Sequence, residues 1–443
     1  MTSESIDAGA FFPLPQDLHH TGGLSAEEWR AATRFDAVDV GWIILSIGMA
    51  IGAGIVFLPV QAGMVGLWVF LASAVIAYPA LYLFQRLFIN TVVESDQCCD
   101  YPAVISGYLG MNWGIAIGLL YFAMLLIWVF VYSTAITNDS ASYLHTFGVT
   151  SGLLSKNPIY PLALIGTLVL LASRGEQFLF KISTVLVLTK LGIVAFLGIS
   201  MIPLWNLENI GAFPPWNVFL KEAIITLPFT LTSILFLQTL SPMAISYRAR
   251  EKSREVARHK ALRAMNIAFG ILFVTVFFYA VSFTLALGYD DAALAYRENI
   301  SALALAALLF PAGAATILGV VLNLFAVTTA FFGVFLGFEE ACRGLLLNVL
   351  GRFLPQESLS RKAINRAIRL FLVAIAWFVV TCNIPVLNFT SFSSPIFGLI
   401  GCLIPAWLVW RVPALARYRT PSLALIVLTG LLLLISPFLN FVK

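Results

Sequence analysis

The sequence predicts an all-α integral membrane protein of eleven transmembrane helices, built as two five-helix inverted repeats plus one extra C-terminal helix. Three observations carry this expectation. Hydrophobic residues fill 60% of the 443 positions and charged residues only 11%, against about 25% charged in a soluble domain. Apolar runs recur from residue 40 almost to Lys443, and the mean hydropathy is +0.93. Finally, two of these runs, five helices apart, carry glycine, proline and hydroxyl residues where an ordinary spanning helix is apolar.

A helix needs about 20 apolar residues to cross a hydrocarbon layer of roughly 30 Å. Runs of this kind cover approximately 40–64, 67–91, 113–146, 158–173, 178–204, 220–247, 263–288, 311–340, 366–383, 386–410 and 421–441. The fourth is short, and only Asn383 to Pro385 separate the ninth from the tenth, so a count of twelve is the alternative to eleven. Residues 1–38 form a polar tail without signal-peptide features, and 39–443 form one transporter domain. Within that domain 39–204 is the first repeat, 220–410 the second, and 421–441 the eleventh helix.

Placing the amino terminus in the cytoplasm puts 21 of the 26 lysines and arginines on the inner side, including the seven from Arg248 to Arg263. Such an asymmetry sets topology, so the net charge of +4 reports orientation and not a nucleic-acid partner. It also places the carboxyl terminus outside. The segment 289–309, charged and rich in alanine and leucine, is expected to lie across the outer mouth as a lid. Five scattered cysteines read as free thiols.

The first span reads SIGMAIGAGIVFLPVQAG, with Gly48, Gly52 and Gly54 near its middle and Pro59 beyond. Glycine is costly inside a helix and proline cannot donate to the ladder, so the helix unwinds most easily here, around Ile51, Gly52, Ala53 and Gly54. Gly48 and Gly52 also fit a small-residue packing face. The sixth span decides between the two readings. Its centre carries Thr230, Thr232, Ser233, Gln238, Thr239 and Ser241, then Pro242, with Phe236 among them. Paired interruptions in corresponding helices of two repeats mark a substrate site at the membrane midplane. Broken helices offer free amides and a positive dipole end to a carboxylate, and free carbonyls to an ammonium, which is what an amino acid requires.

Lys190 is a lone charge in STVLVLTKLGIVAFLGIS. A lysine at the bilayer centre costs about 2.5–3.5 kcal/mol to insert, which points to a function. It can exchange a proton during a transport cycle, or serve as a fixed tether to the helix-break carbonyls. Thr328 and Thr329 of the eighth span are hydroxyls at matching depth, and Tyr132 and Ser133 of the third offer an aromatic wall and a hydroxyl. Either pair can equally be satisfied within its own helix or the core. Asp139 falls nearer the outer end.

GAGIVFLPVQAG, YSTAITND, SRGEQFLFK, SPMAISYR and IPAWLVWRVPAL together resemble the hydroxy and aromatic amino acid permease family of bacterial inner membranes, within the amino acid-polyamine-organocation superfamily. The similarity runs from about Asp39 to the end and is strongest to its serine-transporter branch, to permeases for D- and L-serine, with cysteine as a further candidate. The resemblance implies a leucine-transporter-like fold and proton-driven uptake. It matches Gly52, Ala53 and Gly54 to the family's first-helix break and Ser241–Pro242 to the pair after the sixth-helix break. The chain departs from the better-known serine permease pattern at Leu237, Gln238 and Thr239, where that pattern has Phe-Asn-His, and at Lys190, where it carries an aromatic residue. Elsewhere in the superfamily a fifth-helix lysine replaces a sodium ion.

The expected function is therefore import of a small hydroxy amino acid, serine above all, by proton symport and alternating access. Uptake of aromatic amino acids, cysteine or threonine on the same fold, or sodium coupling, are the alternatives. A membrane enzyme is not expected, because His19 and His20 lie in the tail, His145 and His259 sit apart, and Glu339–Glu340 end a span without a histidine partner. No cofactor or metal is expected. A channel lacks its ring of like residues, and the tails are too short for a sensor's signalling domain.

Overall fold

A computed structural model describes residues 23–297, 312–353, 360–382 and 393–439. The first spanning helix starts on two polar caps. Ser25 and Glu28 form a capping box for α1 (Ala26–Ala32), and Asp36 and Asp39 form another for α2 (Ala37–Ala50), in which each side chain bonds the other residue's amide. Then the helix stops. Ile51 and Gly52 leave helical geometry (Gly52 φ −114°, ψ −117°), and the chain resumes as α3 (Ala53–Val65).

Gly66, at φ 84°, turns the chain directly into α4 (Leu67–Val93). That left-handed conformation carries no penalty for glycine alone. After a loop comes α5 (Tyr101–Leu109), a nine-residue helix started by Asp100, whose side chain accepts from the Ala103 amide. There follow α6 (Met111–Thr146), α7 (Ile159–Ala172) and α8 (Glu176–Ser200). The second interrupted helix is α9 (Trp216–Thr232) and α10 (Leu237–Arg250), separated by four residues from Ser233 to Phe236. The described chain closes with α11 (Arg254–Arg297), α12 (Ala312–Leu350), α13 (Arg361–Thr381), α14 (Ser393–Arg411) and α15 (Ser422–Leu439).

Eight helices are long and apolar enough to cross a membrane, with α9 and α10 taken as one. Three shorter apolar ones, at Ala37–Ala50, Ile159–Ala172 and Ser422–Ile435, complete the eleven crossings among the described residues. Several boundaries differ from the hydropathy runs. The eighth span continues past Glu340 to Leu350, and the seventh begins at Arg254, because its first turns are held by ion pairs that hydropathy does not see. Gly288 (φ 67°) breaks α11 near its end, where a Cβ would lie 2.8 Å from Asn209 Oδ1. The lid expected at 289–309 is described only to Arg297, as the end of α11; its remainder lies outside the described residues. So do the tail before Gly23, the 383–385 break and residues 386–392 of the tenth span.

Polar contacts concentrate at the end of the bundle that carries the basic loop from Arg248 to Arg263. Asp39, fully buried, accepts from Arg263 at 2.8 Å and from the Tyr247 hydroxyl at 2.7 Å. Lys260 pairs with Asp36 at 2.9 Å and Glu251 at 2.8 Å. Around Glu94 gather Arg417, Arg258 at 3.7 Å, Arg254 at 3.9 Å and the Tyr418 hydroxyl at 2.8 Å. Together these tie the starts of α2 and α11 to the ends of α4, α10 and the turn before α15. The cysteines are free.

Glu94, with 7% of its side chain exposed, is the acceptor this cluster shares. Removing one partner of a buried ion pair costs about 3–5 kcal/mol, whereas an exposed pair is worth about 1 kcal/mol or less. We therefore expect Glu94→Ala to lower the thermal-inactivation midpoint of the purified protein clearly more than Asp96→Ala, which removes only the 90%-exposed partner of Arg254. Equal midpoints, read by size-exclusion chromatography after heating, contradict the cluster's role.

Candidate functional site

The break between α2 and α3 frees backbone groups that a continuous helix would pair internally. In an unbroken helix the Gly48 carbonyl would accept from the Gly52 amide, four residues on. Here the Gly52 amide bonds Ala50 O at 2.8 Å instead. The released carbonyl meets Lys190, whose Nζ donates to Gly48 O at 2.9 Å, Ile51 O at 2.8 Å and Thr329 Oγ1 at 2.6 Å. An ammonium has three donors, and all three are used. Lys190 is fully buried, and no carboxylate lies within ion-pair distance of it among the described residues. Its charge rests on carbonyl and hydroxyl dipoles alone.

Three helices converge there because one of them lacks a side chain. A Cβ on Gly48 would stand 3.0 Å from Val187 of α8 and 3.2 Å from Thr329 of α12. Thr329 Oγ1 also lies 3.0 Å from Gly48 O and 2.9 Å from Phe325 O in its own helix, so the hydroxyl can accept from Lys190 while donating to a carbonyl. Thr328, one residue earlier and about 100° around the helix, makes no hydrogen bond to Lys190 and is only partly buried.

Two helix starts without side-chain caps belong to the same region: α3 behind Gly52 and α10 behind Phe236. Ala53 and Gly54 open α3, so first-turn amides and the positive end of its dipole are free to face an anion. Tyr132 of α6 covers this start; a Cβ on Gly52 would be 3.2 Å from its hydroxyl oxygen. Trp128 packs 5.4 Å from the Tyr132 ring and 6.1 Å from Phe397 of α14. Ser133 beside it is fully buried, and its hydroxyl has no hydrogen-bond partner among the described residues.

On the second break, Ser233 Oγ donates to Thr230 O at 2.6 Å and Thr239 Oγ1 to Phe236 O at 2.8 Å, so both hydroxyls satisfy carbonyls at the edges of the interruption. Thr239 also reaches Ser46 Oγ of α2 at 3.3 Å. Gln238 is 2% exposed, with its Oε1 unpartnered among the described residues. Gln85 of α4 was not among the sequence candidates. Its Oε1 accepts from the Phe236 amide at 3.4 Å and so holds the second break from the side. A glutamine inside the apolar run LYLFQRLF was the available signal. Asp139 accepts from Asn323 at 2.9 Å, joining α6 to α12 away from these breaks.

The "Probable serine transporter" of Escherichia coli (strain K12) and the "Serine transporter" of Escherichia coli O157:H7 are each 66% identical to the chain over 422 residues, 95% of this chain and 95% of theirs. The chain belongs to the serine transporter family of hydroxy amino acid permeases. "Serine transporter SdaC" of Escherichia coli (strain K12) is 28% identical over 90% of this permease and 93% of its own length. No family model matches the chain. The solved structure described as "Crystal structure of MhsT in complex with L-phenylalanine" covers 91% of this permease and 97% of that chain at a TM-score of 0.57 and 16% identity. That likeness concerns the fold, which is leucine-transporter-like, with helices one and six interrupted.

Thr329 is the one side chain among the three acceptors of Lys190. Leaving a buried charged donor short of an acceptor costs about 1–3 kcal/mol or more. Thr329→Val, which keeps the shape, is expected to lower the thermal midpoint by several degrees, whereas Thr328→Val leaves it within about a degree. Equal behaviour of the two variants contradicts the geometry.

Proposed function

We propose that this permease imports serine, the L and also the D form, across the bacterial inner membrane by proton symport and alternating access. One observation carries the coupling: the Lys190 ammonium occupies the space between the first-helix break and α12 and holds both with its three hydrogen bonds. Binding of the amino acid is supported by the family relationship and by the two uncapped helix starts.

In this reading the substrate carboxylate takes the first-turn amides of α3, and its ammonium takes carbonyls of the interrupted segments. The serine hydroxyl is read by Ser133, Gln238 and Thr239, under a wall formed by Tyr132 and Phe236. Loss of the Lys190 proton leaves Gly48 O, Ile51 O and Thr329 with one donor fewer and loosens the end of α2 from α8 and α12. Regaining it restores the grip, so proton occupancy and the position of the first helix are linked. The repeats, taken as 39–204 and 220–410, supply one broken helix each.

Orientation follows from charge. The end with the Arg248–Arg263 loop is cytoplasmic, as is the amino terminus, and the carboxyl terminus is periplasmic. The ion pairs of Asp36, Asp39, Glu94 and Lys260 then close the inner side.

The test is uptake of labelled L-serine into sodium-free proteoliposomes under an inward proton gradient, for the wild type and Lys190→Ala. Wild-type accumulation above equilibrium is expected, with Lys190→Ala losing accumulation yet still binding serine. A requirement for sodium, or undiminished accumulation by the variant, overturns the coupling. Competition by threonine, cysteine and phenylalanine ranks the substrates, and serine is expected to lead.

A further inference from the structure

Thr329 has company on its face of α12. Eleven residues, or three turns, further along, Glu340 points within about 20° of the same direction, roughly 16 Å nearer the basic end. Between them lie Gly333 and Gly337. A Cβ on Gly333 would stand 2.9 Å from Met49 of α2 and 3.2 Å from Thr239 of α10; one on Gly337 would stand 2.8 Å from the Gln238 carbonyl. The two glycines let α10 lie directly on α12, and Glu340 is at the end of that contact.

Glu340 is a buried carboxyl group without an ion-pair partner among the described residues. It is 3% exposed and has no lysine or arginine within ion-pair distance among the described residues, unlike its neighbour Glu339, which pairs with Arg369 at 2.9 Å. One oxygen, Oε1, accepts from the Tyr101 amide of α5 at 2.6 Å and from the Ser241 hydroxyl of α10 at 2.8 Å. The other, Oε2, is buried without a hydrogen-bond partner among the described residues. The same holds for the hydroxyls of Tyr101 and Tyr121, whose rings meet at 4.8 Å beside it. Its titratable and charged surroundings are Cys98, Asp100 and Tyr101 from the start of α5 and the preceding loop, Tyr121 from α6, and Arg343 from its own helix. Asp100 adds to the cost of a negative charge here, and burial pushes its own carboxyl up from the ordinary value.

A buried carboxylate with a bare oxygen is expensive, and binding a proton removes the charge that makes it so. We propose that Glu340 is a second proton-binding site of this permease, protonated while α10 lies against α12 and released to the basic end when the two helices part. The proton arrives from a hydronium ion, forms the O–H bond at Oε2, and returns to water when separation removes the Ser241 bond and hydrates the carboxylate. Because Glu340 also holds the Tyr101 amide, its charge state is linked to the seating of α5 against the bundle. The consequence for transport rests on the proton-coupled reading above; the binding of a proton at Glu340 does not.

Infrared spectroscopy of the purified, lipid-reconstituted protein tests it, since a protonated carboxyl has its own carbonyl stretch. A band at neutral pH that disappears in Glu340→Gln and persists in Lys190→Ala is expected. Addition of saturating L-serine should change that band. Absence of any band lost in Glu340→Gln overturns the proposal, whatever the fate of Lys190. Should Glu340→Gln fail to fold, Ser241→Ala serves: removing one donor must shift the band's frequency or its titration midpoint, and an unmoved band overturns the assignment. In proteoliposomes, Glu340→Gln is expected to bind serine and to lose the wild-type dependence of uptake on internal pH. Retention of that dependence equally counts against the site.

Discussion

Everything in the middle of this bundle depends on one unmet backbone requirement. A spanning helix that stops at Ile51 exposes carbonyls in a place without water, and such groups must find donors or the break is not stable. Lys190 supplies two of them from a single atom, at Gly48 O and Ile51 O, and spends its third proton on Thr329. The relation is reciprocal. A lysine buried this deeply would otherwise lack partners, and Gly48 O would otherwise have only the Thr329 hydroxyl at 3.0 Å, so each feature supports the other. Because the partners sit on α2, α8 and α12, the pair also fixes how three helices meet, and Gly48 is the position that allows the approach.

The basic end of the bundle solves a different problem. Around Asp39 and Glu94, charges are paired with opposite charges, since the loops and helix starts there bring arginines and carboxylates into reach. Such pairs hold one arrangement while their geometry lasts, and water can replace either partner at modest net cost. The centre has no such exchange available. Its charge is balanced by dipoles, and a proton is the smallest change that alters the balance.

Much of this was legible in the sequence, for identifiable reasons. Lys190 stood out because a lone charge in an apolar run is costly to insert, and the two interruptions stood out because glycine, proline and clustered hydroxyls are costly there. Other parts were not legible. Thr328 and Thr329 are indistinguishable by composition, and only their 100° separation around the helix decides which one meets Lys190. The helix α5 is nine residues long in a polar loop and offers no span-length signal. Glu340 read as the polar end of a span, because hydropathy cannot tell a carboxylate facing solvent from one enclosed by Tyr101, Tyr121 and Ser241. The continuation of α12 to Leu350 is the same error in another form, since Glu339 pairs with Arg369 of α13 and Asn348 accepts from Ser106 of α5.

The departures from the better-known serine permease pattern gain a physical context from this geometry. Gln238 and Thr239 begin α10, the half-helix that lies on the glycine face of α12, and Lys190 binds the other end of that face through Thr329. A change in the sixth-helix residues therefore alters two things together: the side chains at the edge of the second break, and the surface that lies on Gly333 and Gly337. Thr239 illustrates the coupling. Its hydroxyl donates to Phe236 O within the break and its methyl carbon meets Gly333, while Ser46 ties it to α2. A bulkier imidazole at this position would need room that the contact with α12 does not leave, so the threonine and the lysine are best understood as parts of one packing solution around the two broken helices.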